Sequence, residues 1–67
     1  MSLKDFKGAV ADFTRVIELE PNNANAYYYR GLSRITLGMK NSGCLDLSKA
    51  GELGNKSVYD QIKVHCN

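Results

Sequence analysis

The segment from Asp12 to Pro21 recurs 34 residues later, from Asp46 to Asn55. Asp12 falls on Asp46, Glu18 on Glu52 and Leu19 on Leu53, while Phe13, Thr14 and Arg15 meet the related Leu47, Ser48 and Lys49. An internal period of about 20–50 residues marks stacked supersecondary units, none of which can bury its apolar face alone. A period near 34 residues fits a pair of helices. The expected fold is therefore all-α, about four helices in antiparallel helix–turn–helix units.

Taken in order, residues 5–19 form the first expected helix, because Phe6, Ala9, Val10, Phe13, Val16 and Ile17 recur at steps of mostly three and four. Asp5 is placed to cap it, and Pro21 ends it by pushing the preceding residue away from helical geometry. Asn23 can cap a second helix over 24–37, and Gly38 stops that helix at a position suited to left-handed backbone. The short link from Gly38 to Asn41 makes the next helix return antiparallel. That third helix, over 42–53, is weak by propensity, since Gly43 and Gly51 each cost about 0.5–1 kcal/mol against alanine. Close packing of a neighbouring backbone is the expected compensation. Gly54-Asn55 breaks it, and Ser57 is expected to cap a last helix over 57–66 with Val58, Ile62 and Cys66 inward.

Together these features resemble the tetratricopeptide repeat (TPR) family. Tyr27 takes the family's first aromatic slot and Gly31 its glycine slot; Ala9, Phe13 and Pro21 match the second half of a preceding unit. Gly43, Leu47 and Asn55 stand in the corresponding slots of the complete unit. The departures are Arg30 in the leucine slot and Arg34 in the tyrosine slot, both expected to lay their stems on a helix and extend their guanidinium groups to water. The resemblance implies half a repeat over 4–23, a complete repeat over 24–55 and a capping helix over 56–67, one domain in all. It also implies the tail end of a longer array. Independently of the resemblance, Met1-Ser2-Leu3 is followed by no apolar stretch and so reads as an initiator sequence or an expression leader rather than a signal peptide.

The resemblance further implies a scaffold that holds a peptide or partner helix in a concave groove. By the family's pattern the groove residues are Asn25, Tyr28, Leu32, Ile35 and Thr36. A carboxylate-gripping clamp is not expected, because Tyr28 and Tyr29 stand where basic or amide groups are needed. Self-association is the alternative, through a strip of Phe6, Ala9, Val10 and Phe13 on the first helix that joins two chains as a homodimer. RNA binding is a second alternative, suggested by Tyr27, Tyr28 and Tyr29 beside Arg30 and Arg34. Nine basic residues spread among seven acidic ones, at a net charge of +2, argue against a nucleic-acid surface.

No catalytic, cofactor or metal site is expected. His65 and Cys66 are adjacent, but no third group orients them as a nucleophile pair, and no ligand set has metal spacing. No apolar run approaches the roughly 18 residues needed to span a membrane. Cys44 and Cys66 fall on different expected helices with no repeat logic joining them, so they are expected to be free thiols, and the compartment reducing and cytoplasmic.

Overall fold

The computed structural model describes residues 3–66, with side chains from residue 4 onward; whether Met1-Ser2 is native lies outside the described residues. Four α-helices follow one another: α1 (Leu3–Leu19), α2 (Ala24–Thr36), α3 (Lys40–Glu52) and α4 (Val58–His65). They pack consecutively and antiparallel, α1 on α2, α2 on α3 and α3 on α4. Helices α1 and α3 each begin two residues earlier than the sequence indicates. Asp5 therefore sits inside the first turn of α1 rather than ahead of it, where its charge still favours the amide dipoles.

The turns follow the sequence closely. Asn23 caps α2, its side-chain oxygen accepting from the Ala26 amide at 3.0 Å. Gly38 (φ +86°) ends the same helix in a Schellman turn, with Gly38 N–H donating to the Ile35 carbonyl and Met39 N–H to that of Arg34. Gly54 (φ +109°) repeats the motif after α3, with Gly54 and Asn55 donating to Gly51 and Ala50. The expected Ser57 cap is corrected. Ser57 has helical backbone and makes no side-chain cap bond; its N–H instead donates to the Asn55 side chain at 3.0 Å, which turns the chain into α4.

The α2–α3 contact explains the glycines. A Cβ on Gly31 would lie 2.8 Å from the Gly43 carbonyl oxygen, and one on Gly43 would lie 2.7 Å from that of Gly31. The two backbones approach so closely that neither position admits a side chain without displacement. Below this crossing Leu47, Ala50 and Val58 are fully buried, with Tyr27, Tyr28, Leu32, Ile35 and Ile62 packed around them.

Two expectations fail in this region. Arg30 and Arg34 do not carry their guanidinium groups to water but turn onto Asp46, which is only 5% exposed. Arg30 forms a bidentate pair, Nε–H to Oδ2 at 2.8 Å and Nη2–H to Oδ1 at 2.7 Å, and Arg34 adds Nη1–H to Oδ2 at 3.0 Å. The reason is that a carboxylate buried in the α2–α3 interface must be paired, and α2 presents two cations one turn apart to do it. The hydrogen bond to Asp46 raises the Arg30 pKa above its ordinary value, against the opposing effect of burial.

The cysteines are also paired. Cys44 and Cys66 form a disulfide with their Cα atoms 5.9 Å apart, because α4 folds back along α3 and brings its inward stripe to the start of that helix. A bond of this kind stabilises typically by about 2–4 kcal/mol, chiefly by restricting the unfolded chain. The free-thiol premise for a reducing compartment therefore falls. Among the described residues no helix is long and apolar enough to cross a membrane.

Candidate functional site

An apolar groove of about 400 Å³ runs between α1 and α2. Phe6, Ala9 and Phe13 line one wall, at spacings that keep them on one face of α1. Tyr29, Leu32, Ser33 and Thr36 line the other, spaced i, i+3, i+4 and i+7 along α2. Phe13 and Tyr29 stack across the helix pair with ring centroids 5.8 Å apart, and Tyr28 meets Tyr29 edge-on at 5.1 Å. The Thr36 hydroxyl donates to the Leu32 carbonyl at 3.0 Å, so it is satisfied within its own helix. Among the described residues no charged side chain lines the groove. Such a surface suits an apolar or amphipathic ligand segment rather than an ion.

The groove unites parts of two sets of residues that the sequence kept separate. Leu32 and Thr36, expected in a peptide groove, face Phe6, Ala9 and Phe13, expected in a self-association strip. Asn25 lies instead at the start of α2, where its side-chain oxygen accepts from Asn55 at 3.2 Å. Tyr28 and Ile35 pack against the Leu47–Ala50–Val58 cluster. Val10 is half-buried outside the groove lining, and its carbonyl accepts from the Thr14 hydroxyl at 2.7 Å. Tyr29 and Ser33 were missed. Their helical spacing with Leu32 and Thr36 was the available signal, obscured because Tyr28 and Ile35 made an equally regular and more apolar face.

The basic residues suggested for RNA are engaged elsewhere. Arg30 and Arg34 both hold Asp46, and the Arg30 guanidinium also lies over the Tyr27 ring, 5.3 Å from its centroid. Among the described residues no group of three or more His, Cys, Asp or Glu side chains could hold a metal ion.

Consecutive antiparallel helices, a 34-residue internal correspondence and an uncharged groove along one helix pair define a helical-repeat interaction protein. The chain belongs to the tetratricopeptide repeat family, since the family profile described as a TPR repeat matches residues 1–38, which include α1 and α2. No curated protein and no solved structure gives a significant match. Family membership makes the chain a protein–protein interaction module, of a kind that typically serves as a non-catalytic scaffold.

Proposed function

We propose that the α1–α2 groove receives an amphipathic helix from a partner protein. The observation that carries this reading is the way the chain treats the equivalent surface of α3. Shifted by the internal period, Ala9 and Phe13 of α1 correspond to Gly43 and Leu47 of α3. On α3 that face is covered by α2, with Gly31 pressed on Gly43 and Leu47 fully buried. On α1 the corresponding face lines an open groove. The complementary object is accordingly a helix with a small residue opposite Ala9 and apolar side chains one turn to either side.

A peptide spanning residues 24–37 of this chain supplies such a helix and serves as the probe. Titrated into the isotopically labelled protein, it should shift the resonances of Phe6, Ala9, Phe13, Leu32, Ser33 and Thr36. The same peptide carrying Gly31→Leu should lose that effect. Shifts confined to α3 and α4, or no shifts at millimolar peptide, would refute the reading. A second copy of the chain is the competing occupant. Concentration-dependent sedimentation abolished by Phe6→Glu would assign the groove to a homodimer instead.

A further inference from the structure

Helix α4 is held to the protein largely through α3. Its inward stripe is Val58, Ile62 and Cys66, one residue per turn, facing Leu47 and Ala50. Val58 is fully buried and lies against Gly51, where an added Cβ would come within 3.0 Å of the Val58 Cγ2. Ile62 is only partly buried, Tyr59 also lies against Gly51, and a covalent bond joins Cys66 at the end of the helix to Cys44. At 8 residues α4 is well short of the roughly 12–15 at which an isolated helix is even marginal in water. It persists only while docked. Cys44 and Cys66 are both partly exposed, and they line a surface depression of about 330 Å³ together with Lys40, Asn41, Leu45 and Ser48, the side from which a reductant would approach the bond. Exchange requires that a thiolate reach one sulfur, and the Lys40 charge favours the approach of an anion.

We propose that the Cys44–Cys66 bond is a reducible latch on α4, opened by a dithiol reductant. One thiolate of the reductant attacks a sulfur of the bond, forms a mixed disulfide and displaces the other cysteine as a thiolate. The second thiol of the reductant then displaces the first cysteine and leaves as the reductant's own disulfide. Two electrons and two protons pass to Cys44 and Cys66, which end as thiols. Released from this anchor, α4 withdraws Val58 and Ile62 and uncovers the Leu47–Ala50 side of α3. Helices α1 and α2 and the Arg30–Asp46 pair stay in place, so the latch acts at the opposite end of the stack from the α1–α2 groove.

Hydrogen exchange read by mass spectrometry on the whole chain tests this, comparing the oxidised protein with the same protein in dithiothreitol. Amides over 58–65 should exchange at least about tenfold faster after reduction, and those of α1 and α2 less than about twofold faster. Equal exchange in the two states would mean that packing alone holds α4, and would overturn the proposal. Acceleration spread evenly over all four helices would overturn it as well, since the bond would then support the whole fold rather than a cap. Cys44→Ser should resemble the reduced protein without any reductant and should not respond to dithiothreitol. A response in that variant would place the effect outside the disulfide. Should Cys44→Ser lack helical circular dichroism, the comparison on the native chain decides alone.

Discussion

Arg30 and Asp46 meet across the α2–α3 interface as a two-pronged pair, with Nε–H and Nη2–H donating to the two carboxylate oxygens at 2.8 and 2.7 Å. The side chains are 13% and 6% exposed, so the pair is nearly sequestered from water. Arg30 also donates to the Thr14 hydroxyl at 3.3 Å, which ties the same guanidinium to α1. One side chain on α2 thus links three consecutive helices. Pairs of this kind contribute little when compared with a well-packed apolar replacement, but removing one partner strands a buried charge.

Asp46→Ala should therefore be the most damaging change in the network, costing about 3–5 kcal/mol because it leaves two cations without their anion. Arg30→Met should cost less than Asp46→Ala, since Arg34 remains to hold the carboxylate. Arg34→Met should be milder still: Arg34 contributes one hydrogen bond to the pair, and among the described residues its buried Nε has no partner. Urea denaturation of the three variants checks the order. An Arg34→Met loss equal to that of Asp46→Ala would show that the bidentate pair is not the centre of the network.

The glycines should respond in opposite directions. Gly43→Ala puts a Cβ about 2.6 Å from Ile35 Cγ1 and 2.7 Å from the Gly31 carbonyl oxygen, so overpacking should cost about 1–3 kcal/mol. Gly8 is exposed inside α1, and an added Cβ there meets nothing within 4 Å. Gly8→Ala should stabilise by about 0.5–1 kcal/mol through helix propensity alone. Thermal unfolding of both variants measures the contrast, and a stabilising Gly43→Ala would contradict the close α2–α3 approach.

Leu47 and Phe13 occupy matched positions of the internal repeat, yet their truncations should differ. Leu47 is fully buried, and Leu47→Ala should cost about 2–5 kcal/mol by leaving a cavity in the core. Phe13 is half-buried on the rim of an open groove, so Phe13→Ala should cost distinctly less. Its larger effect should fall on binding of the 24–37 peptide. Chemical denaturation and the peptide titration, run on the same variants, separate the two roles.

A charge in the groove should spare the fold. Phe6 lies at the end of the first turn of α1, partly exposed, and contributes to no fully buried cluster. Phe6→Glu should leave the denaturation midpoint nearly unchanged while abolishing the peptide-induced shifts. Loss of helical structure in this variant would mean that Phe6 belongs to the core.

The sequence by itself determined the helix count, the order of the helices and most of their ends. These rest on local physics: apolar spacing along each helix, proline after α1, the Asn23 cap, and glycines that adopt positive φ at Gly38 and Gly54. The internal period also made the family legible, and the resemblance to that family set Gly31 and Gly43 in its small-residue slots. Tertiary structure decided how matched residues are used. Asp12 and Asp46 are the same residue at corresponding positions, yet Asp12 is exposed on α1 while Asp46 is buried against two arginines. The difference lies in what packs beside each helix, which no local pattern records. The same holds for Cys44 and Cys66, brought together only when α4 doubles back on α3. It holds also for the groove, whose walls come from two helices and whose members are set by how α1 and α2 cross. Spacing along a chain places residues on a face, but only the packing of one helix against the next determines whether that face is buried, paired or open.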